Sequence, residues 1–168
     1  AELRAMADRI FHRGPDDGGV WPGEGVCLGA RRLAILDLSA AGHQPMASDD
    51  AQHVVAFNGE IYNFQRLRAE LEPTCRFRGH SDTEVLLHAV RTWGFETTVR
   101  RAHGQFALAV WDVAARTLHL ARDRAGKKPL FYAHDGASLV FASTLNALLE
   151  LLPHRPGINM RAIDASLT

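Results

Sequence analysis

The run Phe106-Ala107-Leu108-Ala109-Val110-Trp111 limits the possible folds of this chain more than any other segment. It has no polar alternation and no turn residue, so it reads as a strand buried on both faces. Such a strand needs one packed layer above it and another below. Residues 117–121, 130–133 and 139–142 read as further strands, with Asp135-Gly136 as a hairpin signal between the last two. Two helical patterns precede the run. Phe64, Leu67 and Leu71 line one side of a helix over 64–71, in which Arg66 and Glu70 are spaced as an i,i+4 pair. Ser81-Asp82-Thr83-Glu84 is a capping box opening a second helix, with Leu86, Val90 and Trp93 as its apolar stripe and Gly94 as its stop. Helices in mid-chain and doubly buried strands predict sheets packed on each other and covered by helices, an α+β architecture.

The first third of the chain is less regular. Leu3, Met6 and Ile10 fall at helical spacing and predict a helix ending near Phe11. Residues 13–19 read as a turn-rich loop, followed by a strand near Val20-Trp21 and a turn at Pro22-Gly23-Glu24-Gly25. A long strand is predicted over 26–37. Its row Leu28, Ala30, Ala34 and Leu36 is interrupted by Arg32, and Arg31 lies on the other face. Val54 to Phe57 reads as a strand running into Asn58-Gly59. Taken alone, Asn-Gly at a strand end is a hairpin turn. It also leaves an amide and a glycine N–H free to converge on a developing oxyanion. A short helix over 145–152 stops at Pro153.

Composition narrows the function classes. The 168 residues suit a single domain. Lys plus Arg and Asp plus Glu balance at 19 each, which argues against nucleic acid or an anionic membrane as the main partner. No apolar run has the length of a membrane span. Cys27 and Cys75 form no CxxC pair, and the nine histidines show no ligand spacing. Reduced thiols and a cytoplasmic location are expected. The opening residues read as helix rather than signal peptide, and without an initiator Met the chain is expected to begin downstream of the natural start.

Two charged residues stand out beside the Asn-Gly pair. Arg32 in an apolar strand row is either a strand end reaching solvent or a two-pronged ligand for a carboxylate. Asp82 in the first turn of a capped helix either complements the helix dipole or binds an ammonium group. Together they would recognise a free α-amino acid, with Asn58-Gly59 facing its reacting carbonyl.

The ordered motifs point further. Arg13-Gly14-Pro15-Asp16, Arg31-Arg32-Leu33-Ala34-Ile35-Leu36-Asp37-Leu38, Gly42-His43-Gln44-Pro45-Met46 and Asn58-Gly59-Glu60-Ile61-Tyr62-Asn63 closely resemble asparagine synthetase of the glutamine-hydrolysing kind. Ser81-Asp82-Thr83-Glu84, Gly104-Gln105-Phe106-Ala107 and the stretch from Arg122 to Tyr132 continue the match in order. The matching part of that family is its N-terminal glutaminase domain, a class II glutamine amidotransferase of the N-terminal-nucleophile hydrolase fold. The resemblance therefore implies a four-layer αββα sandwich.

It also implies roles. Arg32 holds the glutamine α-carboxylate and Asp82 its α-ammonium, with Glu60 lining the pocket. The Asn58 side chain and the Gly59 N–H form the oxyanion hole. Backbone groups at Leu33, Ile35 and Leu36 complete the site. Glutamine is hydrolysed through a cysteinyl thioester, and no cofactor is needed in this domain. The ammonia goes to a C-terminal synthetase domain that uses ATP and magnesium to amidate aspartate or a related acid. The resemblance leaves a homodimer open.

The family nucleophile is a cysteine at the mature N-terminus, whose α-amine serves as base. Here Ala1 stands first, and Cys27 and Cys75 are read as structural. Residues 1–152 are thus expected to be a glutaminase domain lacking its catalytic strand, inactive as it stands and with an unpaired edge beside the gap. Residues 153–168 are expected to lead into the synthetase domain. Thr144 and Asn146 stand where the family usually has Glu and Lys. Two alternatives remain at this point: a non-catalytic glutamine-binding module, and the glutaminase domain of a different amidotransferase.

Overall fold

A computed structural model of the protein describes residues 2–35, 37–152, 157, 160 and 161. The chain opens with α1 (Glu2–Asp8) and a 3-10 turn at Phe11–Arg13. β1 (Asp17–Gly23) and β2 (Val26–Arg32) form an antiparallel hairpin, and Gly25 in its turn has a φ of 75°. β3 (Met46–Ala47) and β4 (His53–Ile61) precede three helices, α2 (Phe64–Leu71), α3 (Asp82–Trp93) and α4 (Phe95–Arg101). β5 (Gly104–Asp112), β6 (Thr117–Arg122), β7 (Phe131–His134), β8 (Leu139–Ala142) and α5 (Leu145–Leu149) follow.

The doubly apolar run is β5, an interior strand of the antiparallel sheet β3-β4-β5-β6. Side chains alternate across a strand. Phe106, Leu108 and Val110 of β5 therefore join Val55 and Ile61 of β4 on one face, packed against Leu67, Leu71 and Val85 of α2 and α3. On the other face Trp111 and Val54 meet Leu28 of β2 and Phe141 of β8. Beyond β8, Ala142 packs with Met6 of α1 and with Ala147 and Leu148 of α5. The layers run helix, sheet, sheet, helix, the αββα order that the resemblance implies.

The second sheet layer consists of two hairpins. β2 pairs with β1, and β8 pairs with β7, while among the described residues no ladder joins β2 to β8. A cavity of about 1230 Å³ lies between these two strand edges, over the β4–β5 face. Its floor is low because Ala56 faces Ala109 and Asn58 faces Ala107 across the ladder.

Several sequence expectations need correction. The first helix ends at Asp8 rather than near Phe11. β1 already begins at Asp17, inside the predicted loop. The strand predicted over 26–37 stops at Arg32. Arg13-Gly14-Pro15-Asp16 folds onto that strand end, with Asp16 N–H donating to the Arg32 carbonyl at 3.2 Å. Asp16 Oδ2 then takes the Ala34 N–H at 2.9 Å and draws the chain out of the sheet. Asn58-Gly59 is not a turn. β5 offers β4 a full-length partner, and the pairing runs through Asn58↔Ala107 and Gly59↔Phe106 to Ile61↔Gly104. The ladder outweighs the local turn preference of Asn-Gly.

Arg66 and Glu70 do not pair. Glu70 meets Arg101, and Arg68 takes Glu72 at 3.0 Å. Half of the capping box forms, with Ser81 Oγ accepting the Glu84 N–H at 3.2 Å. The Glu84 carboxylate instead accepts the Arg78 and Gly79 N–H groups at 2.6 and 2.9 Å, tying the preceding loop to α3. The sequence reading had no counterpart for α4 or β3. Leu36 and most of 153–168 lie outside the described residues.

Candidate active site

The register of β4 decides where its free donors point. The Tyr62 N–H donates to His103 O at 2.7 Å and the Val113 N–H to Gln52 O at 2.9 Å. In an antiparallel ladder such bonded pairs alternate with unbonded ones. Asn58 and Glu60 therefore bond to β5 through the backbone, whereas the N–H groups of Phe57, Gly59 and Ile61 point away from it. Two of those three are satisfied by side chains: Gln44 Oε1 accepts Phe57 N–H at 2.7 Å, and Asp82 Oδ2 accepts Ile61 N–H at 3.0 Å. The Gly59 N–H lies between them with no acceptor among the described residues.

The Asn58 side chain is on the cavity face of the same strand. Its Nδ2 is buried and has no partner among the described residues. Buried amide groups are nearly always hydrogen-bonded, so an orphan of this kind calls for an explanation. Two unpaired donors on adjacent residues at one cavity wall are what an oxyanion needs.

Asp82 is the first residue of α3 and is buried. Burial pushes its pKa up, its bond from the Ile61 N–H pulls it back, and nearby Glu60 adds a further upward push. Two carboxyl groups at one end of a cavity favour a cation between them. Glu60 shares the cavity face with Asn58 and lies opposite Gln105.

Arg32 ends β2 at the cavity wall. Its Nη1 donates to the Ser39 carbonyl at 3.0 Å and its Nη2 to the Asp37 carbonyl. The guanidinium lies on Gly42, where a Cβ would collide with it. Arg32 is thus not a free two-pronged fork, as the sequence alone suggested. It is anchored by the loop that follows it.

Asp37 fixes that loop to the start of α3. Its carboxylate accepts the His80 N–H at 2.7 Å and both the N–H and hydroxyl of Ser39, at 2.8 and 2.6 Å. These bonds, the His80 N–H foremost, bring its pKa down to about 2. Leu33 and Ile35 line the cavity and are 55% and 73% exposed.

The structure therefore brings Arg32, Leu33, Ile35, Asn58, Gly59, Glu60 and Asp82 to one cavity. Cys27 lines the same cavity, but away from Arg32. Cys27 lies five residues along β2 from Arg32, about 16 Å at the ~3.3 Å per residue of a strand. Cys75 belongs to the core on the helical side of the larger sheet. Sequence reasoning gave no role to Asp37 and Gln44, although both sit within the ordered motifs. Among the described residues no cluster of three or more His, Cys, Asp or Glu could hold a metal ion, and no helix is long and apolar enough to cross a membrane.

A family profile described as glutamine amidotransferase domain matches residues 1–168. The chain belongs to the glutamine amidotransferase domain family. Among curated relatives, the amidotransferase domain is similar to Asparagine synthetase [glutamine-hydrolyzing] 3 of Bacillus subtilis. The two are 44% identical over 151 residues, covering 86% of this chain and 24% of the relative. It is also similar to Amidase chry2 of Gibberella zeae, 35% identical over 150 residues, covering 88% of this chain and 22% of the relative. The chain thus spans about a quarter of the length of the curated relatives it matches. A solved structure of glutamine phosphoribosylpyrophosphate amidotransferase from B. subtilis, complexed with ADP and GMP, superposes with a TM-score of 0.61 at 26% identity. It covers 72% of this chain and 28% of that one. The amidotransferase domain accordingly has the α+β sandwich that the sequence predicted.

Proposed function

We propose that this domain binds L-glutamine and hydrolyses it to L-glutamate and ammonia. The orphaned Asn58 amide beside the free Gly59 N–H carries this reading. Arg32 takes the α-carboxylate and Asp82, with Glu60, the α-ammonium. Backbone groups of Leu33 and Ile35, which line the cavity, complete the substrate site. The side-chain amide then lies against Asn58 and Gly59.

In this scheme a cysteine thiolate attacks the amide carbon, and its oxygen becomes an oxyanion held by Asn58 Nδ2–H and Gly59 N–H. Collapse of the adduct breaks the C–N bond, and the nitrogen leaves as ammonia after protonation. Water then cleaves the thioester to glutamate and restores the thiol. The nucleophile is assigned to a strand that lies between β2 and β8 and precedes α1 in the full-length protein. Two open strand edges flank that space, and the cavity exceeds the ~300–1,000 Å³ typical of small-ligand pockets. On this reading residues 1–152 belong to the glutaminase domain. The ammonia is passed to a synthetase domain beyond residue 152 that uses ATP and magnesium to amidate aspartate.

Two measurements on the full-length protein test this. Glutamate release should depend on Arg32. Losing a charge-assisted hydrogen bond costs about 1.5–3 kcal/mol, so Arg32→Ala should raise the glutamine KM roughly 10- to 100-fold. An unchanged KM would remove Arg32 from the site.

The second measurement concerns pH. The raised pKa means that folded Asp82 keeps its proton to a higher pH than the unfolded chain does. The stability contributed by the protonated form is lost as pH rises through that value. Ammonium binding needs the ionised form and runs the opposite way. Glutamine affinity should therefore weaken as pH falls through the Asp82 pKa, which lies above that of an ordinary aspartate. Asp82→Asn should bind weakly and lose this dependence. A pH-independent wild-type affinity down to pH ~4, the ordinary carboxylate pKa, would contradict the assignment.

A further inference from the structure

We infer that Gln44 is a positioning residue that aligns the oxyanion donor of β4 with the ammonium-binding end of α3. The inference rests on the glutaminase reading above. β3 covers the free edge of β4 only at Val54 and Val55. From Ala56 onward the edge has no strand partner among the described residues, yet it carries the Gly59 N–H, whose placement within a fraction of an ångström governs oxyanion stabilisation. Gln44 supplies the missing restraint. Its Oε1 accepts the Phe57 N–H at 2.7 Å, two residues before Gly59, and its Nε2 donates to Thr83 Oγ1 at 3.2 Å. Thr83 follows Asp82, whose Oδ2 takes the Ile61 N–H two residues after Gly59. One planar amide thus joins the strand bearing the oxyanion donor to the helix bearing the ammonium ligand.

Both Gln44 and Thr83 are buried and border the cavity, so water does not replace these bonds cheaply. The same short segment also seats the carboxylate ligand. Gly42, two residues earlier, lies under the Arg32 guanidinium. Gln44 itself is held by its neighbours: His43 Nδ1 bonds Asp17 Oδ2 at 2.8 Å, and Gly19 packs against the Gln44 carbonyl, leaving no room for a Cβ. The spacing between the two ends of the substrate site is therefore set by a rigid linker rather than by either end alone.

The test is steady-state glutamate release by the full-length protein. Gln44→Met keeps the volume and removes both bonds. It should lower kcat about 10- to 100-fold while the glutamine KM stays within about threefold, the pattern of an interaction made in the transition state. Gln44→Glu keeps an acceptor for Phe57 N–H, and the Thr83 hydroxyl can turn to donate to it, so this variant should recover most of kcat. Thr83→Val breaks only the helix-side bond and should lower kcat about three- to tenfold. It keeps the test open if Gln44→Met fails to fold. An unchanged kcat in Gln44→Met and Thr83→Val would overturn the inference. So would a parallel loss of kcat, KM and melting temperature with no rescue by Gln44→Glu, which marks a merely structural role. A wild-type protein that binds glutamine but releases no glutamate would instead overturn the glutaminase reading, and the role of Gln44 with it.

Discussion

Asn58→Ala in the full-length protein lowers kcat for glutamate release by about 10²–10³-fold, the usual loss for one oxyanion-hole donor. The glutamine KM changes little, because the Nδ2 has no ground-state partner to lose. That asymmetry separates this residue from Arg32 and Asp82, whose losses fall on binding. Stability should rise or stay level, since the substitution removes a buried unpaired amide. Thermal unfolding alongside the kinetics checks both halves. A variant with normal kcat, or one whose loss tracks reduced stability, would assign Asn58 a packing role and leave the Gly59 N–H alone at the carbonyl.

How far this site could be read from sequence varied with the kind of interaction. Features set within a few residues were legible. The Ser81 cap of α3 and its stop at Gly94, with a φ of 79°, are local backbone chemistry. The Asp135-Gly136 hairpin between β7 and β8 is of the same kind. The apolar run of β5 announced two packed faces. Features set by distant partners were not legible. Asn58-Gly59 has the chemistry of a turn, and only the register with Ala107 and Phe106 turns it into strand. Arg32 looks free in sequence. Its guanidinium is occupied by two carbonyls of a loop whose course depends on Asp16 and Asp37. The Thr98-Val99 region of α4 has weak helix propensity and is carried by packing, with Thr98 fully buried. The residues assigned to the site stand out through the ordered motifs rather than through periodicity, and those of them that the structure describes line one cavity. The motifs could not show that Gln44 and Asp37 hold the set together, because a buried side-chain bond to a distant backbone leaves no spacing signal.

The same geometry leaves no room for a side chain at Gly59. It lies opposite Phe106 in an unbonded antiparallel pair, where backbones approach to about 4.5 Å between Cα atoms. A Cβ there points to the helical face and collides with the Gln105 carbonyl, with Phe106 Cα at 2.7 Å and Phe106 Cβ at 2.9 Å. All but the last are backbone atoms, so no rotamer change relieves the clash, and β4 must move away from β5. Overpacking of this kind costs about 2–3 kcal/mol, roughly 5–10 °C in Tm for a domain of this size. The displacement also carries the Gly59 N–H off the oxyanion, so kcat in Gly59→Ala should fall by at least the factor expected for Asn58→Ala. Gly94→Ala is the control. Nothing lies within 4 Å of its added Cβ, and its cost is the strain of a φ of 79° at the far end of α3. It should lower Tm and leave kcat of the folded protein unchanged. If Gly59→Ala behaves like Gly94→Ala, losing stability but not turnover, the reacting carbonyl does not meet β4 at Gly59, and the oxyanion must be held elsewhere along the cavity wall.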